Sequence, residues 1–303
     1  IAGIDMNSDN MASGSVNTRL NGVLTLANAG KLGHYYNIRN VNFFLNNLNF
    51  KDKNSAAYKQ CVGEAYYFRA WFYFQLFKNY GKIAWVNRPL EPQEEEMNQP
   101  QQERTVIADS ILADLDKAIA NLNTQNSSAS MRVHKDVARA FKSEVALYEA
   151  TWERYHKAKN DACKDVVDRG VWRIYTTGNP LNDYRVIFQT EDLSANPEVL
   201  WFKRYDGVNV GNSVDRYLNQ GGGSSGVTAS LVDDYLTIDG KPFVGPAVLT
   251  AKATFGDELK PTVRDPRLCQ TVCMPGQILR PDQGGYVVPP LNGSGYNKNE
   301  TGY

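Results

Sequence analysis

Apolar residues return every three or four positions through most of the first 170 residues and lose that rhythm afterwards. In GHYYNIRNVNFFLNNLNF, Tyr35, Ile38, Val41, Phe44 with its neighbour Leu45, and Leu48 share one helical stripe. ERTVIADSILADLDKAIANL carries Ile107, Ile111, Leu115, Ile119 and Leu122 on another, and RVHKDVARAFKSEVALYEATWERY carries Val137, Phe141, Val145, Tyr148, Trp152 and Tyr155 on a third. A shorter helix is expected from Lys157 to Asp168, and LNGVLTLANA after the polar opening MNSDNMASGSVN also reads as helical. Between the early helices stands GEAYYFRAWFYFQLFKNYG, with Tyr66, Tyr67, Phe68, Trp71, Phe72, Tyr73, Phe74, Phe77 and Tyr80 around almost its whole circumference and Gly81 as its stop. A helix apolar on nearly every side has to be buried on nearly every side, so a scaffold role outweighs direct ligand contact. Its charged residues Glu64 and Arg69 are too costly to bury alone and are expected to pair or to bond backbone carbonyls.

After Lys82, the prolines at 89, 92 and 100 preclude a long helix, and Glu94 to Glu96 read as a solvated loop. Beyond Gly170, VWRIY and EVLWFKRY are short β-prone runs, which makes Trp201 part of a half-buried strand; Trp85 is expected in the core. YLNQGGGSSG is loop. LVDDYLTIDGKP suggests a turn or two of helix and then an Asp239-Gly240 turn, while RDPRL, PGQILRPDQGG and VVPPLNGSG read as loops. Successive helices of this length are the kind that stack into helical-repeat arrays. The expectation is a mainly α chain: a helical-repeat scaffold over residues 1–170, and over 171–303 an irregular, loop-rich lobe with short strands, the place where binding usually resides.

Composition narrows the chemistry. Lys plus Arg and Asp plus Glu are both 33, so the chain has no electrostatic footprint for nucleic acid or an anionic membrane face. Tyr, at 17, exceeds Phe at 12 and Trp at 5, which favours surfaces offering an apolar face with a hydrogen-bonding tip. Cys61, Cys163, Cys269 and Cys273 are too irregular for a disulfide framework, and CQTVC without a second pair or a nearby His fails the spacing of a zinc site. GGGSSG lacks the lysine of a phosphate loop, since Val227 and Thr228 stand where Lys and Ser/Thr are needed. His34, His134 and His156 sit in no metal-binding or nucleophile-activating spacing, and His134 and His156 are read as solvated. No carboxylate pair is nominated by spacing, so nothing points to a glycosidase. No cofactor and no metal are expected. No run approaches the length of a membrane span.

The residues also carry a resemblance. Gly63, Glu64, Ala65, Phe68, Arg69, Ala70, Phe74, Leu76, Tyr80 and Gly81 resemble the signature helix of the SusD/RagB-like family of outer-membrane nutrient-binding lipoproteins. YYNIRNVNFFLNNL before it, and ILADLDKAIANL, DVARAFKSEVALYEA, NPEVLWFKRYD, ASLVDDYLTIDGKP and RDPRLCQTV after it, follow in the family's order from about Tyr35 to Leu268. The resemblance implies a TPR-like helical-repeat scaffold and a non-catalytic protein, lipid-anchored at the cell surface on the outer membrane. Such a protein captures oligosaccharide or polysaccharide for a SusC-like TonB-dependent transporter, and no nucleic acid is involved. It implies an aromatic arc for the ligand, matched here by Tyr35, Tyr36, Arg39 and Asn40 and by Tyr205, Asp206, Arg216, Tyr217 and Tyr235. The family's lipid-bearing cysteine and late C-terminal helices have no counterpart here, and the chain is read as trimmed at both ends. Three other readings stay open: a peptide-capturing member of the same family, a helical-repeat adaptor whose only partner is protein, and a glycosidase, which composition alone does not exclude.

Overall fold

The computed structural model describes residues 8, 10–13, 20–23, 33–125, 129–152, 161–205, 210–211, 225–243, 262–272, 278–279 and 286–287. The chain divides into two compact units, one of residues 30–174 with 192–203, the other of residues 1–29, 175–191 and 204–303.

The first unit is helical. Its elements are α1 (His34–Asn47), α2 (Ala56–Tyr80), a 3-10 turn over Glu95–Asn98, α3 (Arg104–Asn121), α4 (Lys135–Trp152) and α5 (Asp161–Asp168), each α-helix packed on the next. The antiparallel course of α2 and α3 follows from contacts that run in opposite order along the chain. Gly63 lies against Leu122, Arg69 pairs with Asp114, and Gly81 lies near Arg104. Ion pairs of Arg104 with Glu149 and of Asp116 with Lys142 fix the same sense for α3 and α4.

Local signals set the ends of α2. The Ser55 hydroxyl accepts from the Tyr58 amide at 3.3 Å, and Gly81, at φ +68°, closes the helix with its N–H on the Phe77 carbonyl. Tyr67, Ala70, Tyr73, Phe74, Leu76 and Phe77 of α2 enter one core with Ile38 of α1, Ile107, Ile111, Leu115 and Ala118 of α3, and Val137, Phe141 and Val145 of α4. Most residues of the expected apolar stripes therefore lie on the inward faces of their helices; Phe44 and Trp152 are exposed instead, and Tyr155 lies outside the described residues.

The second unit has little regular structure among its described residues. It contains α6 (Asp183–Gln189), α7 (Ala229–Asp234) and α8 (Arg267–Thr271), with short antiparallel ladders β1 (Met11–Ser13) to β2 (Ser225–Val227) and β3 (Ile278–Leu279) to β4 (Tyr286–Val287). Val232, Leu268 and Val272 form a small core with Val227 and Tyr235 against it.

Several expectations change here. VWRIY and EVLWFKRY form no strand or ladder among the described residues, and bends stand at Glu198 and Leu200. Their backbone groups are taken singly, Arg173 N–H by the Pro197 carbonyl and the Leu200 carbonyl by a histidine. Trp201 is thus a loop residue, its indole N–H on the Met131 carbonyl at 2.8 Å and its ring edge-on to Tyr67. Conversely, part of the polar opening is strand β1, because Ser225–Val227 of the Gly/Ser run offers it a partner. Leu20–Gly22 form a turn rather than a helix start, with Gly22 at φ +69°; the rest of that run lies outside the described residues. RDPRL is not all loop, since Pro266, at φ −58°, sits where proline suits a helix start and α8 follows it. The Asp239-Gly240 turn forms as expected, with Gly240 at φ +78° and its N–H on the Thr237 carbonyl.

Candidate functional site

In the helical unit the polar side chains of α1 and α2 grip the strip that follows α2. Tyr35 donates its hydroxyl to the Ala84 carbonyl at 2.7 Å, and the Tyr73 hydroxyl donates to the Val86 carbonyl and accepts from the Val86 amide. Trp85 stacks on Tyr73 at 4.0 Å. Arg69 is buried and fully used: Nε and Nη2 engage both oxygens of Asp114 at 2.6 and 2.8 Å, and Nη1 reaches Asn42 Oδ1 and the Asn87 carbonyl. Asn42 passes the bonding on through Nδ2 to the carbonyls of Val86 and Arg88. A charge pair this buried is tolerated because each polar atom finds a partner. Glu64 pairs with Arg132, so Glu64 and Arg69 are both compensated as expected. Burial raises the pKa of Tyr35 despite its bond to Ala84, and with the Glu144 charge it pushes Tyr67 up to about 12.

His134 corrects an expectation, being completely buried rather than solvated. Its Nε2 lies 2.7 Å from the Leu200 carbonyl, which can only accept, so Nε2 carries the proton. The ring stacks on Trp172, whose indole N–H donates to buried Asp136, a carboxylate also paired with Arg139 and Arg169. Desolvation lowers the His134 pKa and Arg169 lowers it further, against the opposing pull of the Leu200 carbonyl. A neutral histidine locked in this way is a packing element, and no reaction is assigned to it. His156 lies outside the described residues.

The helical unit also presents an exposed stretch of α1. Tyr36 is 70% exposed, Arg39 and Asn40 are exposed, and Phe43 and Phe44 follow with 56% and 43% exposure. Tyr35, one position away, points its hydroxyl inward. The two tyrosines that the sequence treats alike are thereby separated, Tyr36 for solvent and Tyr35 for the scaffold.

In the second unit, Tyr184, Leu231, Asp234, Tyr235, Leu236, Asp265 and Arg267 line an open groove of about 230 Å³. Three local devices build it. Asp183 anchors the start of α6 by accepting from the hydroxyls of Thr176 and Thr177 and the Thr177 amide, which also holds its carboxyl below the usual range. Thr228 caps α7 by accepting from the Leu231 amide. Gln270 of α8 accepts from the Arg185 amide and donates to the Pro180 carbonyl, tying α8 to α6. Beneath the groove, buried Arg264 donates to the carbonyls of Val232 and Tyr235, and its guanidinium lies 3.9 Å from the Phe243 ring centre. At the rim, Arg267 and Asp265 form a bidentate pair that holds the Asp265 carboxyl below its ordinary range.

Of the residues nominated from sequence, Tyr35, Tyr36, Arg39 and Asn40 fall in the helical unit and Tyr205 and Tyr235 in the other; Tyr205 is partly exposed and Tyr235 lines the groove. Asp206, Arg216 and Tyr217 lie outside the described residues, as does Cys273 of the CQTVC pair. Sequence reasoning missed Tyr184, Asp234, Asp265 and Arg267. For Tyr184 a signal existed in NDYRVIFQ, where Tyr184 and Phe188 stand one helical turn apart and both remain exposed.

With this geometry in hand, the chain was compared with known proteins. The family model described as "Starch-binding associating with outer membrane" matches residues 4–147, which include α1, the aromatic helix and most of α4. Residues 4–147 therefore match the SusD-like family, in agreement with the resemblance read from the sequence. Among solved structures, a SusD-like protein from Bacteroides fragilis superposes with a TM-score of 0.79 at 22% identity, covering 99% of this chain and 62% of the other. A SusD-like carbohydrate-binding protein from the same species gives 0.71 at 21% identity, covering 91% of this chain and 53% of the other. Surface glycan-binding protein A from Bacteroides fluxus gives 0.57 at 17% identity, covering 76% and 54%. At these identities the likeness speaks for the fold. The chain spans between about half and three-fifths of the length of these structures. No curated protein matches it in sequence. Among the described residues, no helix is long and apolar enough to cross a membrane.

Proposed function

We propose that this SusD-like chain is the glycan-capturing part of a cell-surface protein that holds oligosaccharide or polysaccharide and passes it to a SusC-like TonB-dependent transporter of the outer membrane. In this reading, the helices of the first unit are a TPR-like repeat scaffold, and the loop-rich unit carries most of the ligand contacts. The attachment is peripheral, through a lipid anchor. The carrying observation is the family match over residues 4–147, whose description joins starch binding to the outer membrane. The chemistry of the exposed groups agrees with it. A sugar ring has an apolar C–H face and a rim of hydroxyls, and is held by aromatic faces beside a few placed polar groups. Tyr36, Arg39 and Asn40 on α1, and Tyr205 and Tyr235 with Asp206, Arg216 and Tyr217 in the second unit, are the proposed contacts, with Tyr35 holding the α1 end in place.

Nothing in this mechanism breaks a bond: the ligand is stacked, hydrogen-bonded and released. Shallow, wet sites of this kind bind with Kd of order micromolar to millimolar. The test is native affinity electrophoresis in gels containing starch and other polysaccharides, with a peptide digest titrated in parallel. Retardation by a glycan, reduced by Tyr36→Ala, is the expected result. Peptide binding without any glycan retardation would transfer the chain to the peptide-uptake reading. Release of reducing sugar during the assay would contradict binding without catalysis.

A further inference from the structure

The groove of the second unit joins Tyr235 to groups that have no role so far. Tyr184 and Tyr235 both line it, and neither phenolic hydroxyl makes a hydrogen bond among the described residues. Tyr184 is 38% exposed and is continued by Phe188, 73% exposed, at 5.0 Å between ring centres. These rings extend an apolar surface from the groove. The polar atoms are equally specific. Asp265 accepts from the Arg267 amide at 2.9 Å and from its guanidinium at 3.0 Å, so that cation is already neutralised within the rim. Asp234, at the end of α7, is exposed and has no ion pair or hydrogen bond among the described residues.

The charge count follows from these placements. Asp265 and Arg267 cancel, and Asp234 leaves one net negative charge on the lining. On the lining itself a uronic-acid or sulfated sugar would find no unpaired cation, since Arg264 is buried away from solvent, and it would lie beside the Asp234 carboxylate, a like-charge contact that costs affinity. A neutral sugar would find two phenol faces, two hydroxyls with no partner among the described residues, and a carboxylate that accepts from sugar O–H groups, which are charge-assisted bonds. The volume of about 230 Å³ lies below the roughly 300–1,000 Å³ of cavities that engulf drug-sized ligands. Because the groove is open, it suits one end or a short stretch of a chain whose remainder stays in solvent.

We infer that the groove formed by Tyr184, Tyr235, Asp234, Asp265 and Arg267 is a binding subsite for uncharged glycans that excludes acidic ones. This rests on the glycan-binding reading proposed above and adds a location and a selectivity to it.

The experiment is affinity electrophoresis of the whole chain in gels containing a neutral polysaccharide (starch, pullulan or dextran) or an acidic one (polygalacturonate or alginate), repeated with Tyr184→Ala, Asp234→Asn and Tyr36→Ala. The wild type is expected to be retarded by at least one neutral polymer and by neither acidic one. Tyr184→Ala is expected to weaken that retardation by roughly three- to tenfold, the value of one aromatic contact. Asp234→Asn, an exposed and nearly isosteric change that leaves the fold intact, is expected to relieve the exclusion of the acidic polymers. Neutral-glycan binding that persists unchanged in both Tyr184→Ala and Asp234→Asn would overturn the subsite and leave the proposed function standing. Equal retardation by neutral and acidic polymers would overturn the selectivity. Absence of retardation by every polymer would overturn the glycan reading itself and the subsite with it. If Tyr184→Ala fails to fold by circular dichroism, Tyr184→Phe, which removes only the hydroxyl, supplies the comparison.

Discussion

The central residue of the helical unit is Arg69. Its guanidinium connects α2 to α3 through Asp114, to α1 through Asn42, and to the strip after α2 through the Asn87 carbonyl. The sequence exposed the problem this residue poses, a charge on an all-aromatic helix, without naming the partner, because Asp114 lies 45 positions away on a helix whose register only the fold decides. His134 shows the opposite case. Its sequence setting at a helix start suggested solvent, but the stacked Trp172 ring and the Leu200 carbonyl, both from distant parts of the chain, bury it. That burial has a pH consequence. The native pKa of His134 is lowered from its ordinary 6.5, so below about pH 6.5 the unfolded chain takes up a proton that the folded chain refuses. Stability is therefore full above that pH and falls as pH falls through this window, until the native histidine is itself protonated. His34, whose pKa burial also lowers, acts in the same direction. Thermal melts between pH 7.5 and 5 are expected to show a declining Tm, and His134→Gln, which retains an N–H for the Leu200 carbonyl, should flatten the slope. An unchanged slope in that variant would place the pH dependence elsewhere.

At the scale of elements, the helices were legible because burial and periodicity agree. The stripe Ile107, Ile111, Leu115 of α3 is fully buried, and α2 is aromatic all round because it packs on both α1 and α3. Strands were misjudged for a physical reason. VWRIY and EVLWFKRY have strand composition, but a strand exists only with a partner, and partnership is a long-range property. β1 and β2, read as loop, found one another across more than two hundred residues. The contact of α2 with the end of α3 depends on one glycine: a Cβ at Gly63 would sit 2.7 Å from Leu122 Cγ and 2.9 Å from the Leu122 backbone nitrogen. Leu122 is itself buried, so the helix end would have to move. Gly63→Ala is expected to lower stability by about 1–3 kcal/mol in chemical denaturation, in spite of alanine's better helix propensity. A neutral or stabilising result would show that this helix pair has slack that the packing does not display.

At the scale of the whole molecule, the sequence pointed to the family through blocks spread in order along the chain, and the family match and the fold agree with that reading. The proposed binding residues were less legible. Aromatic residues of core and of surface look alike in a sequence, as Tyr35 and Tyr36 demonstrate, and the groove gathers Tyr184, Tyr235 and Asp265 from three separate stretches that acquire meaning only when α6, α7 and α8 are folded beside one another. A protein that captures sugar by stacking has a direct signature, because the protons on the apolar face of the sugar come within close range of aromatic side chains. Saturation-transfer difference NMR of the chain with a mixture of neutral oligosaccharides is therefore the most direct measurement. Transfer to sugar C–H protons, weakened in Tyr184→Ala, is predicted. The absence of transfer to any oligosaccharide, from a folded protein at millimolar ligand, would contradict the account.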